Sequence, residues 1–201
     1  VDAPPSTFTV DTVTPTLTID TPVDASTGND DTPALTGSTE IGRLLYRQSA
    51  DTVKKLVMEL GGHAPVIVFK GADLDVAVTE TIKAKFATSG QDCLGANRIF
   101  VERAIYDDFC ARFTTATRAL SLGIGMDDPD IGPLMNEKAV LKQEEHVADA
   151  LAKGAKLACG GARDPLGSLF YQPTVLTDVP KEAAIMSDET FGPVAAIAPF
   201  D

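Results

Sequence analysis

Cys93 sits in Ser89-Gly90-Gln91-Asp92-Cys93-Leu94-Gly95-Ala96-Asn97-Arg98, a small-residue turn leading into an apolar run. A thiol on a Ser-Gly-Gln turn stands where backbone N–H groups can surround the sulfur and favour the thiolate. An isolated cysteine is more often a small buried hydrophobe, so the company it keeps decides. Glu59, in Met58-Glu59-Leu60-Gly61-Gly62-His63-Ala64-Pro65, is a carboxylate between apolar strand residues and a Gly-Gly pair. Such surroundings can raise a carboxyl pKa towards a value suited to deprotonating water; the alternative is a surface glutamate on a strand. Thr36-Gly37-Ser38-Thr39 precedes a helix whose free N–H groups attract anions, phosphates included, although a helix cap needs no more than this.

Charge and cysteine usage narrow the chemistry. With 29 acidic against 17 basic residues, the net charge of −12 opposes binding to nucleic acid or an anionic membrane. Cys93, Cys110 and Cys159 are widely spaced, without a C-x-x-C pair, which suits a reducing compartment rather than a disulfide framework or zinc site. His63 and His146, the only histidines, are far apart in the chain, which speaks against a metal site or a Ser-His-Asp triad. No run approaches the roughly 18 apolar residues of a membrane span, and no basic-then-apolar leader opens the chain.

These residues need elements to position them. Residues 55–60 and 65–69 are expected as strands flanking Gly61-Gly62. Asp73 caps a helix to about Phe86, with Val78, Ile82 and Phe86 stacked along one face. After the cysteine turn, residues 99–101 form a strand. Residues 104–121 form a helix striped by Ile105, Phe109, Phe113, Ala116 and Leu120 and stopped by Gly123. Asn136 caps a helix to Lys153. Strands follow at 156–159, 173–179 and 195–200, with a short helix at 181–186. Cys110 and Cys159 are expected as packing residues. Strands alternating with helices mean an α/β domain with a largely parallel sheet.

Residues 1–36 differ: they hold no Lys or Arg, and 14–20 alternate apolar with polar residues as a half-buried strand does. Asn29-Asp30-Asp31-Thr32-Pro33 is turn chemistry. Through Pro15-Thr16-Leu17-Thr18-Ile19 and Thr32-Pro33-Ala34-Leu35-Thr36-Gly37 this part resembles a fragment of a bacterial immunoglobulin-like surface repeat. A disordered extension is the alternative.

Four motifs in order carry a second resemblance. They are Thr36-Gly37-Ser38-Thr39-Glu40-Ile41-Gly42, the Glu59-Leu60-Gly61-Gly62 stretch, Ser89-Gly90-Gln91-Asp92-Cys93 with Asn97-Arg98, and Asp188-Glu189-Thr190-Phe191-Gly192-Pro193-Val194. From about Thr36 to Asp201 the chain resembles the aldehyde dehydrogenase superfamily. Within it, Asp130-Ile131-Gly132-Pro133-Leu134, the helix around His146 and Pro173-Thr174-Val175-Leu176 look most like succinate-semialdehyde dehydrogenases.

The resemblance implies a fold, a reaction and a site. The fold is α/β: the Rossmann-like catalytic domain of the aldehyde dehydrogenase fold, incomplete, with a short β-type N-terminal extension over 1–36. Residues 37 to about 59 would end the cofactor-binding domain and the rest begin the catalytic one. The reaction is oxidation of an aldehyde, succinate semialdehyde first among them, to an acid with NAD or NADP, through a cysteine thiohemiacetal and a thioester. Cys93 matches the nucleophile, its own N–H serving the oxyanion hole, and Glu59 the general base. Glu189 matches the residue holding the nicotinamide-side ribose, Phe191 the aromatic beside it, and Gly37, Ser38 and Leu60 further cofactor contacts. No metal is implied. The small-molecule aldehyde is the expected partner and the cytoplasm the expected location. Family members are homo-oligomers in chains more than twice this length, so most of the cofactor domain, with an oxyanion-hole asparagine, is expected upstream of Thr36, and the oligomerisation strands after Asp201. Two other functions stay open: an inactive structural or binding module from a fusion, and a thiol esterase using Cys93 and Glu59 without cofactor.

Overall fold

The computed structural model describes Phe8–Val10, Leu17–Ile19 and residues 34–201, in two compact units, Val1–Gly61 and Gly62–Asp201. In the first unit, β1 (Phe8–Val10) and β2 (Leu17–Ile19) pair antiparallel, Phe8 opposite Ile19. β2 falls inside the stretch whose alternation predicts a strand. The turn expected at 29–33, and most of the immunoglobulin-like segment, lie outside the described residues.

β3 (Ala34–Gly37) and β4 (Val57–Leu60) pair in parallel, with α1 (Thr39–Ser49) as their crossover. Side chains alternate across such a pair. Leu35, Gly37, Met58 and Leu60 are therefore half-buried, while Thr36 and Glu59, opposite one another, are exposed. β3 runs across the boundary expected at residue 36. β4 is shorter than expected, beginning at Val57.

The second unit holds a five-stranded sheet. Its strands are β5 (Ala64–Val68), β6 (Ala96–Glu102), β7 (Lys156–Cys159), β8 (Thr174–Thr177) and β9 (Val194–Phe200), in the spatial order β5-β6-β9-β8-β7. All neighbours are parallel except β7 with β8. A parallel sheet needs both faces covered. Alternation along the strands divides the core accordingly. Ile99, Val175, Ala195 and Ile197 pack with Phe86, Phe109 and Phe113 from α2 (Leu74–Phe86) and α3 (Tyr106–Arg118). Leu176, Val194 and Ala196 pack with Val140, Val147 and Ala150 of α4 (Glu137–Ala152). Phe109 and Phe113 stack with ring centroids 5.6 Å apart, and both are fully buried; each contributes roughly 1.5–3 kcal/mol by leaving water.

Capping places these helices where expected. Asp73 Oδ1 accepts the N–H groups of Asp75 and Val76 at 3.0 and 3.2 Å, and Asn136 Oδ1 accepts that of Ala139 at 2.9 Å. Two helices differ from the sequence expectation. The helix expected over 104–121 starts at Tyr106 after a 3₁₀ turn and ends at Arg118, before Gly123. The chain leaves the helix because Ser121 and Gly123 exchange backbone hydrogen bonds with Ile131, while Asp130 Oδ2 accepts from both Ser121 N–H and Oγ–H. The helix expected over 181–186 shrinks to the 3₁₀ turn Ala184–Met186. There α4 takes the backbone groups that a helix would use: Ala184 N–H donates to Asp149 Oδ2 at 2.6 Å and Lys153 Nζ donates to the Glu182 carbonyl at 2.8 Å.

Candidate active site

The turn that carries Cys93 is strained and clamped. After α2 the backbone takes a 3₁₀ turn, Ala87–Gly90, in which Thr88 and Ser89 have φ of 51° and 60° and Gly90 has φ of 70°. A left-handed residue with a Cβ costs about 1–2 kcal/mol, so two in succession need external support. It comes from residues 132–135. Ser89 Oγ accepts the N–H of Gly132 at 2.8 Å and donates to its carbonyl at 3.2 Å. Gln91 Oε1 accepts the N–H of Met135 at 2.8 Å. Beyond Gln91 the chain turns again, Gly95 N–H donating to the Asp92 carbonyl at 3.0 Å and Leu94 N–H to Asp92 Oδ1 at 2.8 Å. Cys93 and Leu94 are both exposed at the tip.

Two glycines press on this turn. A Cβ at Gly90 would lie 2.3 Å from the Gly192 carbonyl oxygen, and one at Gly62 would lie 2.3 Å from the Cys93 carbonyl oxygen. The turn carrying Cys93 therefore meets Gly62 and the loop around Glu189 at backbone contact distance. Glu189, half-buried, closes the junction: its Oε1 accepts the N–H of Gly62 at 3.1 Å. Arg98 ties the Gly-Gly turn to β6 from the other side, donating Nε–H and Nη2–H to the His63 carbonyl at 3.1 and 2.6 Å.

The loop carrying Glu189 and Phe191 is held from α4. Gln143, fully buried, donates Nε2–H to the Thr190 carbonyl at 2.9 Å and accepts from Thr190 Oγ at 3.1 Å. His146 Nδ1 stands 3.2 Å from the same hydroxyl. A Cβ on Gly192 would strike the Gln143 side chain at 2.4 Å. Phe191 has φ of 47° and is half-buried.

Three thiols have distinct surroundings. Cys110 and Cys159 pack against the core of the sheet, and burial pushes the Cys110 thiol up to about 12 and raises that of Cys159. Neither suits a nucleophile at neutral pH. Cys93 is the thiol that faces solvent.

The second group of expected site residues lies in the first unit. Gly37 pairs in register with Leu60, and Ser38 caps α1 by accepting the Ile41 N–H at 3.3 Å. Leu60 packs under the same helix, where a Cβ on Gly42 would meet its Cδ2 at 2.7 Å. Gly37, Ser38 and Leu60 thus surround one strand-to-helix turn, with Glu59 beside them on β4. Cys93, Glu189 and Phe191 belong to the second unit.

The structure also shows what the sequence reading passed over. Lys85, in the last turn of α2, is fully buried, with Nζ donating to Asn97 Oδ1 at 3.0 Å. His63 and His146, distant in the chain, come within electrostatic reach of one another. Burial is the main cause pulling His146 down to about 4, and it also lowers His63, whose two ring nitrogens make no hydrogen bond of good geometry. The available signal was the Gln143/His146 spacing on one face of α4; nothing local marked Lys85. Among the described residues, no cluster of three or more His, Cys, Asp or Glu could hold a metal ion, and no helix is long and apolar enough to cross a membrane.

Known proteins resemble this chain in both sequence and fold. A sequence model of the aldehyde dehydrogenase family matches residues 30–201. The chain is 50% identical over 168 residues to a succinate-semialdehyde dehydrogenase [NADP(+)] of Escherichia coli, covering 83% of this chain and 35% of that protein. It is 48% identical over 166 residues to a glutarate-semialdehyde dehydrogenase of Pseudomonas aeruginosa, covering 82% and 34%. The crystal structure of succinate-semialdehyde dehydrogenase from Burkholderia pseudomallei matches with a TM-score of 0.82 at 50% identity, over 84% of this chain and 35% of that one. An NAD+ complex of an aldehyde dehydrogenase from Bacillus cereus matches with a TM-score of 0.81 at 35% identity, covering 85% and 35%. The chain spans about a third of the length of the curated relatives it matches. With the family model matching most of the chain and relatives about half identical to it, the chain belongs to the aldehyde dehydrogenase family.

Proposed function

We propose that Cys93 is the nucleophile of an NAD(P)-dependent aldehyde oxidation and Glu59 its general base. The observation that carries this reading is the exposed Cys93 thiol on a strained turn, pressed by Gly62 and Gly90 against the loop that presents Glu189. Strain of this kind persists only where surrounding structure over-determines it, and it concentrates at working sites.

The thiolate adds to the aldehyde carbon, forming a C–S bond and a thiohemiacetal oxyanion that the Cys93 backbone N–H stabilises. When bound, NAD(P)+ supplies the acceptor for the hydride that leaves this carbon as the thioester forms. Glu59 then takes a proton from water, the hydroxide adds to the thioester, and the Cys93 thiolate departs with release of the acid.

The residues present suit a nicotinamide dinucleotide. The Glu189 carboxylate, oriented by Gly62 N–H, can accept from ribose hydroxyls, and Phe191 offers an aromatic surface beside it. The α1 N-terminus, opened by Gly37 and Ser38 over Leu60, suits a pyrophosphate.

Succinate semialdehyde is the substrate to test first. Relatives are named for succinate semialdehyde, glutarate semialdehyde and 3-sulfolactaldehyde, all of which carry an acid group as well as the aldehyde. A free nucleophilic thiol needs a reducing compartment, and the cytoplasm is the location this reading carries.

The test is titration of NAD+ and NADP+ into the purified chain, followed by turnover of succinate semialdehyde against butyraldehyde in wild type and Cys93→Ala. Saturable cofactor binding with turnover lost in Cys93→Ala is expected. Absence of binding up to millimolar cofactor would sink the dehydrogenase reading, and ester hydrolysis lost in Cys93→Ala would then favour a cofactor-free thiol esterase.

A further inference from the structure

The reaction above gives no role to Thr190, which stands between Glu189 and Phe191 and is fully buried. Its surroundings fix the direction of each hydrogen bond around it. Gln143 Nε2 faces two carbonyl oxygens, that of Thr190 at 2.9 Å and that of Ala139 at 3.2 Å. Carbonyls only accept, so they take the two amide hydrogens, and Oε1 is the acceptor for Thr190 Oγ–H at 3.1 Å. A hydroxyl has one hydrogen to give. His146 Nδ1, 3.2 Å from the same oxygen, must therefore donate to it, which makes the neutral ring the Nδ1–H tautomer.

The backbone gives this clamp something to hold. Phe191 has φ of 47°, a costly angle for a residue with a Cβ. Gln143 also presses on the residue after it, since a Cβ at Gly192 would lie 2.4 Å from the Gln143 Cδ. On the other side of Thr190, Glu189 Oε1 reaches the Gly62 N–H at 3.1 Å. Helix α4 thus grips the loop at 190 and 192, on either side of the strained residue.

We propose that Gln143 and His146 are positioning residues for Glu189 and Phe191, acting through Thr190, whose hydroxyl between them keeps Glu189 aimed at Gly62 and Phe191 in its left-handed angle. The consequence for the dinucleotide rests on the roles given to Glu189 and Phe191 above. With the hydroxyl gone, Gln143 Oε1 and His146 Nδ1 each lose a buried partner, and less opposes the strain at Phe191. Glu189 then leaves Gly62, and dinucleotide affinity falls.

Two NMR signals of the isotope-labelled full chain test the clamp without any cofactor. The His146 ring, identified by its absence in His146→Gln, is expected as the Nδ1–H tautomer; the Nε2–H tautomer would overturn the proposal. The Gly62 amide reports its bond to Glu189. In Thr190→Val it is expected to shift in the direction it takes in Glu189→Gln, and in Thr190→Ser, which keeps the hydroxyl, to stay in place. An unmoved Gly62 amide in Thr190→Val would overturn the proposal, and Gln143→Met gives the same reading if Thr190→Val does not fold. Calorimetry with NAD+ and NADP+ reads the consequence: Thr190→Val binds roughly tenfold more weakly, the scale of a buried hydrogen bond lost, and Thr190→Ser restores binding. Wild-type affinity in Thr190→Val would overturn the positioning role. If the wild type binds no dinucleotide while the Gly62 amide still follows Thr190, the cofactor reading fails and the clamp on Glu189 stands.

Discussion

Ser89 and Gly132 hold one another by a reciprocal pair of hydrogen bonds, Oγ accepting the Gly132 N–H at 2.8 Å and facing its carbonyl at 3.2 Å. Because Ser89 is left-handed at φ 60°, this pair is what opposes the strain of the turn before Cys93. Ser89→Ala keeps the strain and loses both bonds, leaving two backbone groups without their partner. We expect a loss of about 1–3 kcal/mol by urea unfolding and a slower reaction of Cys93 with iodoacetamide. Ser89→Gly relieves the strain and should lose less stability than Ser89→Ala; equal losses would mean that the backbone angle is not under tension.

Gly90 tolerates no side chain. Its φ of 70° disfavours a Cβ, and the added atom would sit 2.3 Å from the Gly192 carbonyl oxygen. Gly90→Ala should lower stability by roughly 3 kcal/mol or more, read as a fall in Tm. Gly62→Ala meets the Cys93 carbonyl at the same distance but without an adverse φ. It should displace Cys93, slowing its alkylation by iodoacetamide more than it lowers Tm.

The three cysteines should separate by reactivity. At pH 8 the Cys110 thiol, pushed up to about 12 by burial, stays protonated and covered, and Cys159 is raised in the same direction. Peptide mass spectrometry after brief alkylation is expected to find Cys93 modified alone in the folded chain and all three in urea. Labelling of Cys110 at the rate of Cys93 in the folded chain would contradict the packing of α3.

Acid should weaken the α4 side of the site through His146. Burial holds it near 4, below the ordinary 6.5, so between these values the unfolded chain binds more protons than the folded one. Stability is therefore full above about 6.5 and falls as pH drops towards 4, by an amount on the order of 2–3 kcal/mol. His146→Gln should flatten this part of the stability–pH curve in urea titrations; an unchanged slope would place the loss on carboxylates instead.

Much of this protein is legible in one dimension because its signals are local. Capping by Asp73 and Asn136, the aromatic stripe of α3 and the apolar strands act over a few residues, so their outcome follows from their neighbours. The four motifs were legible for the same reason, each being a contiguous turn. Element ends were less so: α3 stops at Arg118 rather than running to Ser121 because Ile131 and Asp130 claim Ser121.

What the sequence determined by itself is therefore the set of elements and the α/β class, with Cys93, Glu59 and Glu189 singled out as candidates by the residues around them. Tertiary structure alone decided which groups share an environment. Lys85 carries no local mark, yet the closing of the sheet leaves it fully buried with its Nζ donating to Asn97 Oδ1. His146 lies 44 residues from Thr190 along the chain, yet the packing of α4 on the Glu189 loop brings its Nδ1 to 3.2 Å from the Thr190 hydroxyl. Burial and electrostatic proximity are properties of the packed molecule, and no local spacing encodes them.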